Sequence, residues 1–266
     1  MPTAPSAPTP LFSSREFLPF LYLSAAFLFL ECLLRVANTS SPFFSLGLLR
    51  IFASSLAAGA LLWFISIIIP RKAISRVIVA AALFIFSIIV IAECCVQNFF
   101  GIYYQIAYML GMGGQVAGDF MGEAVGAILK NLWFFPLALA PEVLVVVFRH
   151  RVVPDNKNTQ TGAPVVTIFI SLIVFVLAQS ANVVVCHLGN DNQYYTTEYT
   201  ANSAIPRFGL ANSLRLEAKY SIFGMPTPSF DSPAASVPGA TKQADYKPNE
   251  LDIDFDTLIA NDTDDT

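Results

Sequence analysis

Five ionisable side chains lie within or at the ends of long apolar stretches, where a charge has few aqueous partners. Glu31 and Arg35 are four residues apart, in the acid-first order that favours an ion pair along a helix. Arg50 opens the second stretch, Glu93 closes the third, and Glu142 lies inside the fourth. A charge at the centre of a bilayer costs about 3 kcal/mol on insertion scales, so such residues pair or bind an ionic group. Positions near helix ends favour pairing with one another; the alternative is contact with a lipid headgroup or a substrate.

A glycine-rich segment, residues 93–131, carries a second pair of acids and seven of the fourteen glycines. Asp119 and Glu123 are four residues apart, which places two carboxylates on one helix face that should meet water or lipid headgroups. Four glycines recur at the same spacing and would form a ridge that another helix can approach closely. They are Gly114, Gly118, Gly122 and Gly126. The pattern predicts a re-entrant or interfacial helix that packs through its glycines; the alternative is the floor of a lipid-headgroup cavity.

No group of residues in the sequence has the spacing of a catalytic or metal site. The four cysteines form no Cys-x-x-Cys pair, and the two histidines stand alone at the ends of apolar stretches. Asp252, Asp254 and Asp256 alternate as at the start of a calcium loop, but Thr257 and Thr263 stand where that loop needs Gly and Glu. We therefore predict no catalytic residue, no metal site and no cofactor in this chain.

The elements that must position these residues are membrane spans. The chain of 266 residues is 55 % apolar and 13 % charged, whereas soluble domains carry about 25 % charged residues. This composition excludes a soluble enzyme, a nucleic-acid-binding protein and a disordered chain. A hydrocarbon core about 30 Å thick needs about 20 helical residues. We predict an all-α polytopic membrane protein with a five-span domain over residues 1–186, its spans at about residues 17–36, 46–69, 74–92, 132–148 and 165–186.

Lysine and arginine are distributed unequally between the two sets of connections. One set carries Arg15, Arg71, Lys72, Arg76, Arg149, Arg151 and Lys157, and the other carries Arg35, Arg50 and Lys130, all at span ends. Connections rich in these residues stay in the cytoplasm. We therefore predict a cytoplasmic N-terminus and, with five spans, an extracytoplasmic tail.

The tail, residues 187–266, has the opposite charge balance from the membrane part. It holds five Lys/Arg against twelve Asp/Glu, whereas residues 1–186 hold ten against seven. Residues 187–224 are predicted to be a juxtamembrane segment with one amphipathic helix on the outer leaflet, starting near Ser203 with Pro206 at its first turn. Residues 225–266 have the composition of a Pro-rich linker with an acidic end.

A series of short motifs runs through the tail: Glu198-Tyr-Thr, Pro206-Arg-Phe-Gly-Leu210, Leu214-Arg-Leu-Glu217, Phe223-Gly224 and Leu251-Asp-Ile-Asp-Phe-Asp-Thr-Leu-Ile259. They resemble the segment that joins the membrane and catalytic parts of lipoteichoic acid synthase-like proteins. Those proteins are membrane phosphoglycerol transferases of the sulfatase/alkaline phosphatase superfamily. The order of spans and tail resembles the family over the whole chain. Individual motifs resemble it only from about residue 194 onward.

The resemblance implies a place in the bacterial cell membrane and phosphatidylglycerol as a lipid partner. It also implies an extracytoplasmic sulfatase-type domain with a threonine nucleophile and a divalent metal, usually manganese. None of those catalytic positions can be assigned to this sequence, so we expect that domain to be missing or separate and this chain to be inactive alone. The alternative hypothesis is a small transporter, channel or regulatory membrane subunit in which the glycine-rich segment is re-entrant.

Overall fold

The computed structural model describes residues 14–37, 42–103, 105, 121–148, 163–189, 191, 194 and 199–224, and the regular structure in these ranges is helical. In chain order the helices are α1 (Ser14–Ala37), α2 (Leu46–Ile68), α3 (Lys72–Phe100), α4 (Met121–Lys130), α5 (Phe134–Val147), α6 (Ala163–Leu188), α7 (Ala201–Phe208) and α8 (Leu210–Phe223). The all-α prediction is confirmed for these ranges. The predicted linker and acidic end over residues 225–266 lie outside the described residues.

Four of the described helices are long and apolar enough to cross a membrane. They correspond to Phe17–Ala37, Leu46–Ile68, Lys72–Phe100 and Val165–Leu188. The third runs on from residue 92, its predicted end, to Phe100, so the start of the predicted glycine-rich segment belongs to this span. The fourth predicted span is the 14-residue helix α5, about 21 Å long and therefore shorter than a hydrocarbon core of about 30 Å.

The long helices alternate in direction, so that several helix ends meet at one end of the bundle. Arg50 Nη2, near the start of α2, donates to the carbonyl of Val185 near the end of α6 at 3.1 Å. Asn98 Nδ2, near the end of α3, donates to Asn131 Oδ1 just before α5 at 2.8 Å. Helices α7 and α8 pack on this same end, against α1 and α2. We call it the capped end: the ends of α1, α3 and α6 and the starts of α2 and α5.

The packing between α1, α2 and α3 is aromatic at two levels. Trp63, which is 2 % exposed, lies between Phe17 and Phe20 with ring centroids 5.6 and 5.4 Å away. Phe27 of α1 meets Phe86 of α3 edge-on at 4.8 Å. Such pairs contribute packing energy beyond buried area, which matters in a bilayer because lipid tails are as apolar as the side chains.

A close helix contact through glycine occurs at a position that the sequence analysis did not single out. A Cβ on Gly59 of α2 would lie 2.7 Å from the backbone nitrogen of Ser24 in α1 and 2.8 Å from its Cα. By contrast, a Cβ on Gly122 or Gly126 of α4 would meet no described atom within 4 Å. The other two glycines of the predicted ridge, Gly114 and Gly118, lie outside the described residues. Glycine packing is therefore seen between α1 and α2 and not at the described half of the predicted ridge.

The single amphipathic helix predicted for the tail is two helices. Thr200 caps α7, its hydroxyl accepting from the amide of Ser203 at 3.3 Å, and Pro206 lies in the last turn of α7 rather than in its first. Gly209 then adopts φ +84° and ψ 163°, a region that is essentially restricted to glycine. The apolar side chains on both sides of it, Phe208 and Leu210, are at most 1 % exposed. The tail helices therefore pack on the bundle instead of lying beside it as one surface helix.

Candidate functional site: the charged cluster at the capped end

Glu31 of α1 binds the first turn of α8. Its side chain is 2 % exposed, and its two carboxylate oxygens accept from the amides of Leu210 at 2.8 Å and Ala211 at 2.6 Å. The first amides of a helix have no acceptor within the helix and form the positive end of its dipole. A buried carboxylate at this position satisfies both amides and is itself stabilised by them.

Arg35, one turn further along α1, binds the last turn of α7. Its Nη1 donates to the carbonyl of Pro206 at 3.1 Å, an acceptor that the end of a helix leaves without an internal donor. The other hydrogen bonds hold the connection between α1 and α2: Nε to Phe43 O at 3.2 Å, and Nη2 to Pro42 O and Ser45 Oγ, each at 2.7 Å. All four acceptors are neutral oxygens.

The charges of Glu31 and Arg35 act on each other, but the hydrogen bonds described for each of them go to other residues. The acid binds the amides after Gly209 and the base binds a carbonyl before it, so each charge matches the helix end that it contacts. Gly209 fits between them because a Cβ there would lie 2.9 Å from Glu31 Oε2 and 2.9 Å from Cγ1 of Ile51. We call this arrangement the α7–α8 junction.

Arg50, near the start of α2, is the most buried cation of the cluster. Its side chain is 1 % exposed and its Nη1 lies 2.6 Å from Asp191 Oδ2. The guanidinium carbon lies 5.3 Å from the ring centre of Phe208, and Nη2 donates to the end of α6. Its Nε has no hydrogen-bond partner among the described residues. Gly189 makes room for this side chain, since a Cβ there would collide with Arg50 Nη2.

Arg207 of α7 completes the cluster at its rim. Its Nε lies 3.2 Å from Asp191 Oδ1, and its side chain is 38 % exposed. The guanidinium carbon lies 4.1 Å from the ring centre of Tyr194, and Nη1 donates to the carbonyl of Ser203 at 3.0 Å. One carboxylate, Asp191, is thus shared between two guanidinium groups.

An open cavity of about 510 Å³ lies between these groups. It is lined by Arg35, Pro42, Ser45, Leu46, Gly47, Arg50, Asp191, Pro206 and Arg207. We call it the arginine cavity. The described residues of the lining supply three guanidinium groups and one carboxylate, so together they carry a positive formal charge at neutral pH. Guanidinium groups bind carboxylate and phosphate oxygens through paired hydrogen bonds, so the chemistry that this surface supports is anion binding.

Three members of this cluster, Glu31, Arg35 and Arg50, were predicted as candidate site residues from the sequence, and the structure brings them together at the capped end. Asp191 was not predicted, and Arg207 was noted only as part of the tail motif Pro206-Arg-Phe-Gly-Leu210, because their proximity depends on the fold. Both are charged residues beside apolar segments, and this is the one property that could have drawn attention to them.

The other predicted acids occupy different surroundings. Glu93 is 0 % exposed inside α3 and lies near enough to Tyr199 to help raise the pKa of its phenol. Glu142 of α5 follows Pro141, whose carbonyl accepts from the hydroxyl of Tyr22 at 2.6 Å. Asp119 lies outside the described residues, and the side chain of Glu123, in α4, is likewise not described.

Tyr199 anchors α8 from the start of α7. Its hydroxyl donates to Glu217 Oε1, 3.1 Å away, and also lies 3.1 Å from the carbonyl of Ser213. Burial, followed by the negative charge of Glu217, raises the pKa of the Tyr199 phenol well above its ordinary value. The phenol therefore stays protonated and acts as a structural donor.

No protein-family model, curated protein or solved structure matches this chain. Among the described residues, no group of three or more His, Cys, Asp or Glu side chains is arranged to hold a metal ion. The function must therefore be argued from the geometry and charge of the capped end itself.

Proposed function

We propose that this chain is the membrane part of a lipoteichoic acid synthase-like phosphoglycerol transferase. In this role it anchors an extracytoplasmic sulfatase-type domain at the outer face of a bacterial membrane and holds it at a fixed height above phosphatidylglycerol. The observation that carries the proposal is the α7–α8 junction. Glu31 and Arg35 fasten it to a long apolar helix, as a rigid base for a following domain requires.

The tail motifs give independent support to this proposal. Pro206-Arg-Phe-Gly-Leu210, one of the motifs that resembles the family, is the α7–α8 junction itself. Within it, Pro206 supplies the carbonyl for Arg35, Gly209 the turn, and Leu210 the amide for Glu31.

The proposal places the capped end outside the cell. Arg71, in the connection from α2 to α3, and Lys72, the first residue of α3, lie at the opposite end of the bundle from α7 and α8. The positive-inside rule favours the cytoplasm for that connection. We expect alkaline phosphatase fused after Gly224 to be active and the same enzyme fused within the 69–71 connection to be inactive; the reverse pattern would contradict the proposed orientation.

The reading frame that continues after the codon for Thr266, or a neighbouring frame, tests the proposal most cheaply. A continuation that encodes a sulfatase-type domain supports it, and unrelated sequence counts against it. The biochemical test measures diacylglycerol released from phosphatidylglycerol vesicles, because transfer of glycerol phosphate leaves this lipid behind. We expect release when the chain carries that domain and none from the 266 residues alone.

A transporter or channel is the second candidate, favoured by polar side chains within the bundle. Asn182 of α6 is 0 % exposed, and neither its Oδ1 nor its Nδ2 has a hydrogen-bond partner among the described residues. The same holds for Gln179 Oε1 and Ser55 Oγ. Buried polar groups in membrane helices often line a path for ions or solutes. Uptake of labelled phosphate into liposomes, with no preference for phosphatidylglycerol, would overturn the anchor proposal in favour of this one.

A further inference from the structure

We propose that the arginine cavity binds a phosphate group, either the phosphodiester of an anionic lipid headgroup or free inorganic phosphate. This goes beyond the proposed function, because a membrane anchor does not need a phosphate site in its own helices. The charges around the cavity do not balance. Among the described residues of the lining, Asp191 is the one carboxylate, and Arg50 and Arg207 already share it. Arg35 donates to neutral oxygens, and Glu31, the carboxylate whose charge acts on it, is not among the described lining residues.

Arg50 brings a buried, incompletely paired guanidinium to the cavity. This side chain is 1 % exposed, lines the cavity and leaves Nε without an acceptor among the described residues. A buried charged donor without an acceptor is costly, and native structures supply a partner from the protein, from water or from a ligand. The Nε atom itself is closed to solvent, so a phosphate in the cavity would place its negative charge next to the Arg50 guanidinium and would reach Nε only if this side chain shifts.

Helix α2 begins at the cavity wall. Ser45, Leu46 and Gly47 line the cavity and form the start of α2, a helix of 23 residues. Ser45 Oγ already accepts from the amide of Gly47 at 3.1 Å, so the helix start favours an anion through the positive end of its dipole and not through that amide. The absence of a side chain at Gly47 leaves room for Arg35 and for the backbone of Arg207, since a Cβ there would lie 3.1 Å from Arg35 Nη1 and 3.2 Å from the carbonyl of Arg207.

The surroundings of the cavity favour a lipid as the source of the phosphate. Its volume, about 510 Å³, lies in the range of small-molecule sites, about 300–1,000 Å³, and leaves room for more than a phosphate group. Leu46, which lines it, is 51 % exposed, and the nearby Phe44 is 85 % exposed. Exposed apolar side chains beside three guanidinium groups match a phospholipid, whose acyl chains begin next to its phosphate.

The experiment measures retention of fluorescent phosphatidylglycerol, and separately of labelled inorganic phosphate, by the full chain in phosphatidylcholine nanodiscs. Arg207→Gln removes a cation at the rim, where the side chain is partly exposed. Arg215→Gln is the matched control, because it removes the same charge from α8, outside the cavity lining. We expect Arg207→Gln to weaken phosphatidylglycerol binding about tenfold, the loss of one charged hydrogen bond, and Arg215→Gln to change it less than twofold.

The possible outcomes separate the two sources and the alternative of general charge attraction. If Arg207→Gln alone weakens phosphatidylglycerol binding, and inorganic phosphate competes little for the site, the site is assigned to a lipid. Phosphate binding with the same Arg207 dependence assigns it to the free anion. Equal loss in both variants, or wild-type binding no stronger than to phosphatidylcholine, overturns the inference.

A measurement on the native chain alone keeps the test valid if the variants fail to fold. Phosphatidylglycerol that binds the native chain raises its melting temperature above that in phosphatidylcholine alone. No rise would overturn the inference even if the variants failed to fold. A sulfatase-type continuation of the reading frame with no such binding would contradict this inference and leave the anchor proposal standing.

Discussion

At the scale of single residues, the acid and base of α1 show what a local pattern predicts and what it cannot. Glu31 and Arg35 stand out from the sequence as charges in a span, but the four-residue spacing predicts that they bind each other. Both partners of Glu31 and one of the four acceptors of Arg35 come from residues 171 to 180 positions later in the chain. Only the fold brings those helix ends to α1, so a rule based on neighbouring residues finds the charges and not their partners.

Glu31→Ala should destabilise the capped end, because it leaves the amides of Leu210 and Ala211 buried without an acceptor. We expect the free energy of unfolding to fall by about 3 kcal/mol, as when a buried charged hydrogen-bonding group is removed. The measurement is the melting temperature in detergent together with the rate of trypsin cleavage within α8. Glu142→Ala, an acid removed from α5, is the control and should leave that cleavage rate unchanged. Equal protection of α8 in the Glu31 variant would show that its carboxylate does not hold the junction.

Gly209→Ala should also weaken the junction, for two reasons that a control can separate. Its backbone conformation costs about 1–3 kcal/mol for other residues, and the added Cβ would press on Glu31 Oε2. Gly224 has a similar φ of +79° with no described atom within 4 Å of an added Cβ, so Gly224→Ala reports backbone strain without the contact. We expect the lower melting temperature for Gly209→Ala; equal effects would mean that the contact with Glu31 contributes nothing.

At the scale of helices, hydropathy predicted most of the elements and packing decided the rest. The four long helices follow from the length of their apolar stretches. The break at Gly209 was missed because the apolar positions continue at helical spacing through it, although a glycine there permits a helix end. The α1–α2 contact at Gly59 was missed because a single glycine in an apolar span does not indicate a close helix contact. The prediction of glycine packing was made instead for the four glycines that recur at regular spacing.

Gly59→Val should disrupt the packing of α1 against α2. Its Cβ would meet backbone atoms of Ser24, which cannot move aside as a side-chain end can, and overpacking of this kind costs about 1–3 kcal/mol. Gly126→Val on α4 is the matched control, since its Cβ meets no described atom. Thermal unfolding in detergent should separate the two variants clearly. A Gly59 variant as stable as the control would mean that the two helices are not in close contact there.

The contact of α7 with α8 should weaken at alkaline pH through Tyr199. Burial and Glu217 raise the pKa of its phenol above the ordinary value, so the folded state holds this proton more tightly than the unfolded state. Below about pH 10 the phenol is protonated in both states and the free energy of unfolding does not depend on it. Above that pH the free energy of unfolding falls, because only the unfolded state loses the proton. Melting temperatures between pH 8 and 11 should show a steeper alkaline decline for the native chain than for Tyr199→Phe; parallel curves would contradict this role.

At the scale of the whole molecule, the sequence analysis identified the class and the structure located the site. Composition and span length predict a helical membrane protein, and the described residues contain four helices of spanning length. The arginine cavity depends on residues from the end of α1, the start of α2, the segment after α6, and α7. No spacing in the sequence predicts that Arg35, Arg50, Asp191 and Arg207 meet, because their proximity follows from the alternation of the helices.

The central claim is that α1 holds the tail helices through Glu31, and hydrogen exchange at two amides tests it most directly. The first amides of a helix normally exchange fast because they have no acceptor within the helix. In the native chain we expect slow exchange at Leu210 and Ala211. In Glu31→Ala we expect fast exchange at both, while amides in the middle of α8 remain slower. Fast exchange at Leu210 and Ala211 in the native chain would contradict the account.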